Sequence, residues 1–276
     1  MIIEKLLDHF RDPDLLEVLI NSHRSLVLVG KSEETLDSPF STPETCLDEI
    51  FDFVWSQNQR LDSRLPFAGG IYQNTWRWHA IIPPLAFEGP LFSLRRHRMD
   101  SIRLEDFATN SGDIAEIRQA FVENKHIIIC GPTGSGKTTF LCALLKTFAS
   151  QKRVVILEQI PEITLVSRSW VRLVANPPDV EQFGEIKLRT ALDEALRIRP
   201  DYLVIGEVRG IESECFYLAA TTGHGSIMTT MHANSADQVR QKLKHFIGEG
   251  FLGLERMNIK LVFLRRGMPP VIAGID

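Results

Sequence analysis

One stretch constrains the fold more than any other: His126-Ile127-Ile128-Ile129-Cys130-Gly131-Pro132-Thr133-Gly134-Ser135-Gly136-Lys137-Thr138-Thr139. The isoleucines suit a buried strand, the glycines break it, and a helix is predicted from Lys137 to about Ala149. The spacing is that of a P-loop: glycine, any four residues, then Gly-Lys-Thr. In such a loop, backbone N–H groups curl around a phosphate at a helix N-terminus. Gly131, Pro132, Thr133, Gly134, Ser135, Gly136, Lys137, Thr138 and Thr139 are therefore the candidate nucleotide-binding residues. Lys137 is expected to reach the β- and γ-phosphates of ATP, and the Thr138 hydroxyl to ligate Mg²⁺.

The remaining chain must supply a sheet for that strand. Its 276 residues, 44% apolar and 24% charged, are enough for two ordinary domains. A net charge of −4 gives no overall attraction to nucleic acid, so no direct nucleic-acid binding is expected. Cys46, Cys130, Cys142 and Cys215 form no C-x-x-C pair and are expected as small core residues of a reducing compartment. No apolar run approaches the roughly 18–20 residues that span a bilayer. Residues 1–10 carry charges within an apolar pattern, which predicts an amphipathic helix rather than a signal peptide. A cytoplasmic protein with only peripheral membrane contact is expected.

Periodicity divides the chain into two parts. Strand-like pieces fall at 15–20, 25–30, 64–70, 75–84 and 89–98, with a polar loop at 31–44 and a helix at about 46–59. They form a small α+β unit. Alternation puts Trp76 and Trp78 on one side of a strand and Arg77 on the other. Packing within the unit explains those rings better than stacking on a base. Residues 100–112 are expected as linker, which gives an N-terminal α+β domain at 1–104 and a P-loop domain at 105–276. In the latter, helices are predicted at 113–123, 185–199, 212–222 and 235–247. Strands are predicted at 153–158, 202–206 and 226–231, with a closing hairpin over 259–276. Strand–helix–strand spacing implies a parallel sheet, hence an α/β class.

Catalysis of phosphoryl transfer is mostly positioning and charge stabilisation, so acids and cations are expected at strand ends beside the P-loop. Glu158 and Glu207 end the second and third strands of this domain, and Glu162 follows closely. His224 and His232 bracket the fourth strand. Their spacing is a weak signal for a metal and fits either a hydrogen bond to the sheet end or a sensor of the γ-phosphate. Arg197, Arg199 and Arg209 either pair with acids or reach a nucleotide across a subunit boundary. The run Arg95, Arg96, His97, Arg98 is, by composition, a solvated strand end.

Taken together, these pieces resemble the type II/type IV secretion and pilus-assembly ATPases, above all their CpaF-like and type IV secretion branches. Four motifs run in that family's order: the P-loop at 131–139, an acidic box at Glu158–Glu162, a Walker B region at 196–210 and a histidine box at 222–235. The resemblance implies a RecA-like P-loop NTPase domain, with catalytic roles for Lys137, Glu158, Glu207 and His232. It implies nucleotide contacts from His224 and Arg209, and it matches Arg95 to an arginine that reaches the phosphates from the N-terminal domain. It further implies a PAS-like N-terminal domain, a homo-hexameric ring and a platform protein at the inner membrane as partner.

Two departures qualify the resemblance. The acidic box is Glu158-Gln159 where the family has Glu-Asp, and the C-x-x-C zinc module of some members is missing. Two rival readings follow: a nucleotide-gated binding module with little turnover, and a RecA-like DNA motor. The acidic net charge argues against the second.

Overall fold

Short strands with alternating burial build the first part of the chain. In β1 (Glu17–Asn21), Val18 and Ile20 are buried. In β5 (Trp76–Ile81) the buried residues are Trp76, Trp78 and Ala80, and in β6 (Leu91–Arg96) they are Phe92 and Leu94. With β2 (Ser25–Val29), β3 (Glu33–Leu36) and β4 (Phe67–Tyr72) these form, among the described residues, an antiparallel sheet of order β3-β2-β1-β6-β5-β4. Helix α1 (Pro43–Ser56) begins at a Thr42 capping box and buries Cys46, Ile50, Phe53 and Val54 in the core that also holds the sheet's buried side chains. Phe53 meets Trp78 and Phe92 edge-on, with ring centroids 5.2 Å apart in each case. The two tryptophans are therefore core residues, as their alternation implied.

This computed structural model describes residues 6, 12, 14–73, 76–96, 102–108, 110–175, 184–210, 212–223, 225–267 and 270–276. The chain divides into two compact units, Met1–Arg98 and Met99–Asp276. The helix predicted over 1–10 falls outside the described residues apart from Leu6, as do His97 and Arg98.

The second unit is a three-layer α/β structure. Its strands are β7 (His126–Cys130), β8 (Val154–Glu158), β9 (Trp170–Val174), β10 (Tyr202–Val208), β11 (Ser226–Met231), β12 (Ile259–Arg265) and β13 (Val271–Ile275). They lie in the order β13-β12-β7-β11-β10-β8-β9, parallel except for β13. Burial on both faces makes central strands such as β7 and β8 continuous apolar runs instead of alternating ones. Ile127, Ile129, Val154 and Ile156 face one core with α2 (Ser111–Val122) and α3 (Lys137–Phe148). Their neighbours Ile128, Val155 and Leu157 face the other, with α4 (Leu188–Arg197), α5 (Glu212–Thr221) and α6 (Ala236–Ile247). Each fully buried isoleucine contributes about 1.5–3 kcal/mol, so the P-loop strand is anchored before any ligand is considered.

Two sequence expectations are corrected here, and one strand goes beyond them. The polar segment at 31–44 contains edge strand β3, whose exposed Glu33, Glu34 and Thr35 carry no apolar alternation to reveal it. Edge strand β9 was likewise not anticipated. Residues expected as linker include a 3-10 turn, Leu104–Phe107, whose Leu104 and Phe107 are fully buried in the second unit, Phe107 against Phe140 of α3. All four cysteines are free and buried, and burial pushes the Cys130 and Cys142 thiols up to about 12. Among the described residues no helix is long and apolar enough to cross a membrane.

Candidate nucleotide site

The glycines of the 131–139 loop are required by its shape. Gly134 and Gly136 both adopt φ +76°, a left-handed conformation that favours glycine. A Cβ on Gly131 would lie 2.5 Å from Ser135 Oγ and 2.6 Å from the Leu264 carbonyl oxygen. One on Gly136 would lie 2.7 Å from Pro270 Cγ. Helix α3 starts at Lys137 with Gly136 as its N-cap, and the first N–H groups of any helix lack partners within it. Backbone donors, a helix dipole and one lysine thus converge on a single loop, which is what an anionic phosphate requires. Ser135 adds a fully buried hydroxyl without a protein partner.

Lys137 is 8% exposed, and each of its three N–H donors is engaged. Nζ donates to the carbonyl oxygens of Gly131 at 3.0 Å and Pro132 at 2.9 Å, and lies 3.3 Å from His232 Nδ1. Burial lowers its pKa, opposed by the charge of Glu207. His232 follows the end of β11, and its Nε2 lies 2.8 Å from Glu207 Oε1. The other Glu207 oxygen meets Arg209 Nη2 at 2.5 Å. Lys137, His232, Glu207 and Arg209 therefore form one chain of polar contacts, in which His232 and Glu207 are close without hydrogen-bond alignment.

A register shift in β10 between Ile205 and Val208 places Glu207 in an irregular stretch of the strand, the kind of device that re-aims a side chain. Thr230 Oγ1 donates to the Gly206 carbonyl oxygen at 2.9 Å and ties β11 to that stretch. Lys242 of α6 donates to the His232 carbonyl oxygen at 2.5 Å. On the other side of the loop, Arg266 Nε donates to the Thr133 carbonyl oxygen at 2.8 Å.

Glu158 is positioned differently. Only 4% exposed, it ends β8 and accepts from the N–H groups of Glu162 at 2.8 Å and Ile163 at 2.9 Å. Its second oxygen pairs with Arg172 Nε of β9 at 2.8 Å. Burial raises its pKa against those partners. Gly206 permits this approach, since a Cβ there would lie 3.1 Å from Glu158 Cγ.

The sequence reading named Lys137, Glu207, His232 and Arg209, which the structure brings together. It did not anticipate that Glu158 would be tied to Arg172, nor the parts of Lys242 and Arg266. Those three cations come from elements outside the motifs, and only tertiary contact reveals them. Arg95 lies in the first unit, exposed on β6, in register with Glu17 of β1 and Arg77 of β5. Arg197 is exposed on α4 and lies 3.8 Å from Glu194. His224 is outside the described residues. Among the described residues no cluster of three or more His, Cys, Asp or Glu side chains could hold a metal by itself. Mg²⁺ fits nonetheless through Thr138 in the first turn of α3, because this ion usually keeps water and phosphate oxygens as most of its ligands.

A parallel sheet with helices on both faces, a P-loop after one strand and an acid on the strand next but one define a RecA-like P-loop protein. The chain belongs to the family described as type II/IV secretion system protein, whose profile matches residues 57–263. A Mycobacterium tuberculosis protein named for conjugal transfer, Rv3659c, is 34% identical over 214 residues, 72% of this chain and 58% of the relative. The chain thus spans well under two thirds of that relative's length. The conjugal transfer protein TrbB of Rhizobium radiobacter is 27% identical over 246 residues, covering 86% of this chain and 74% of TrbB. In fold, the chain is similar to the pilus retraction motor PilT solved with bound ADP. The TM-score is 0.67 at 13% identity, over 96% of this chain and 78% of PilT.

Proposed function

We propose that this protein is a Mg²⁺-dependent ATP hydrolase that couples turnover to pilus assembly or to protein or DNA secretion. The observation that carries the reading is the chain of close polar contacts from Lys137 through His232 to Glu207 and Arg209. It joins the phosphate-binding lysine to an acid, a histidine and an arginine, the groups that a γ-phosphoryl transfer needs close by. Lys137 exchanges one of its present partners for a phosphate oxygen, and Glu207, with His232 beside it, orients the attacking water. Mg²⁺, when bound, neutralises charge on the phosphates, with Thr138 as its protein ligand. Arg209 and, by family resemblance, His224 and Arg95 contribute further contacts to the nucleotide.

The protein works as a homo-hexamer, cytoplasmic and peripheral at the inner membrane, against a platform protein of a secretion or pilus system. Family membership and the relatives' names in conjugal transfer support this part. Glu207→Gln is expected to slow steady-state phosphate release while ATP binding stays close to that of the parent. Loss of binding would instead give Glu207 a structural role. Solution mass with and without an ATP analogue tests the ring, and a monomer in both states contradicts it.

One observation favours a second reading, a nucleotide-gated binding module with slow turnover. Glu158 is held by two N–H groups and Arg172, and Gln159 brings no carboxylate. Phosphate release by the unmodified protein separates the two readings.

A further inference from the structure

We propose that Gln159 is a positioning residue for the hydrolysis proposed above, and that its place requires an amide rather than an acid. The proposal rests on that reading for its kinetic part and on geometry alone for the rest. Gln159 follows the end of β8, and its Nε2 donates to Glu212 Oε1 at 2.7 Å. Glu212 opens α5, and its Oε2 accepts from the N–H of Gly210 at 2.8 Å and, more weakly, from that of Arg209 at 3.4 Å. One amide thus holds the carboxylate that shapes the turn after β10. That turn carries Arg209, whose guanidinium meets the same Glu207 carboxylate that His232 touches.

Arg209 has a choice of acids. Its charge is favoured first by the hydrogen bond to Glu207, and the charges of Glu162 and Glu212 add to the effect. Glu212 is already satisfied by backbone N–H groups and by Gln159, and Glu207 is the acid that Arg209 meets at 2.5 Å. A carboxylate at 159 would change two things at once. It would remove the donor to Glu212, and it would set two like charges at hydrogen-bonding distance, an arrangement that resists ionising both. Glu212 would then turn away from Gly210. Arg209 would gain competing partners, and Glu207 would lose the cation that orients it. The effect falls mainly on the chemical step, because the group that loses its orientation is Glu207, the acid proposed to orient the attacking water, while the phosphate loop is untouched.

The test uses Gln159→Glu and the double variant Gln159→Glu/Glu212→Gln. In the double variant the amide and the acid exchange places. The glutamine at 212 keeps an oxygen for the Gly210 N–H and turns its NH₂ toward the new acid. At about pH 8, where a glutamate at 159 is ionised, kcat for phosphate release from ATP is expected to fall about fivefold in the single variant, the scale of one lost hydrogen bond. KM for ATP should stay within about twofold, and the double variant should recover most of the loss. Amide hydrogen exchange at Gly210 should rise about fivefold in the single variant and return in the double. Unchanged Gly210 exchange in Gln159→Glu overturns the tether, whatever the enzyme's activity. A double variant as slow as the single overturns the exchange of roles. If the unmodified protein releases no phosphate, the hydrolysis reading fails, and Gly210 exchange still decides whether Gln159 holds the turn.

Discussion

Lys137 Nζ lies 3.3 Å from His232 Nδ1, and this contact decides where the histidine keeps its proton. An ammonium group has only donors, so Nδ1 must accept. The ring hydrogen then sits on Nε2, on the side of Glu207 Oε1, 2.8 Å away. Burial first, and the Lys137 charge second, hold the His232 pKa below the ordinary 6.5, while Glu207 works to raise it.

That ordering predicts three titrations by NMR. The unmodified His232 should be the neutral Nε2–H tautomer at pH 7, with a midpoint below 6.5. Lys137→Met should move the midpoint up, because a like charge is removed. Glu207→Gln should move it further down, because the opposing carboxylate is lost. A depressed pKa also means that the unfolded chain binds this proton more readily. The His232 contribution to stability is therefore complete above pH 6.5 and is lost as pH falls from there toward the folded-state midpoint. A midpoint that rises in Glu207→Gln would contradict the contact.

The Glu158–Arg172 pair predicts a pH-dependent loss of stability. Arg172→Met leaves a 4% exposed carboxylate with two backbone donors and no countercharge, at an expected cost of about 2–4 kcal/mol near pH 7. Burial already raises the Glu158 pKa above 4.5, and loss of Arg172 raises it further. The electrostatic part of the penalty is therefore absent well below pH 4.5 and grows as pH rises through the folded-state value, while the lost bond from Arg172 to the Ile163 carbonyl oxygen costs the same at every pH. Urea unfolding across this range checks it. Adding Glu158→Gln to Arg172→Met should recover much of the loss near neutrality, since the buried charge is gone.

The phosphate loop predicts a ranking among its glycines. Gly131→Ala forces a Cβ to within 2.6 Å of the Leu264 carbonyl oxygen, which is backbone and cannot rotate away. Gly134→Ala has nothing closer than Arg266 Nε at 4.0 Å and meets only the strain of φ +76°. Expected costs are about 2–3 kcal/mol for Gly131 and about 1 kcal/mol for Gly134. Denaturant midpoints with unchanged slope read this directly, and equal costs at the two positions would count against the loop geometry.

Much of this was legible in the sequence because the second unit's strands are buried on both faces. Ile127–Ile129, Val154–Leu157 and Leu203–Ile205 announce themselves as apolar runs, and each leads to a site residue: Lys137, Glu158 and Glu207. His232 could be read from its place after Ser226–Met231. Edge strands β3 and β9 were not legible, because an edge pairs on one side only and tolerates Glu33, Glu34 and Arg172. The Leu104–Phe107 turn was hidden for the opposite reason: four residues are too few to show a period, although two of them are fully buried. At the site, residue types marked which groups matter but not which partners they choose. Arg172 for Glu158 and Glu212 for Gln159 are contacts across 14 and 53 positions that no local pattern encodes.

In the proposed function ATP is hydrolysed at the loop ending in Lys137, with the lysine exchanging a present contact for a phosphate oxygen. Steady-state phosphate release by the unmodified protein and by Lys137→Ala, measured side by side at saturating Mg²⁺ and ATP, tests it most directly. Turnover is expected in the first and none above background in the second. Turnover that persists in Lys137→Ala would contradict it.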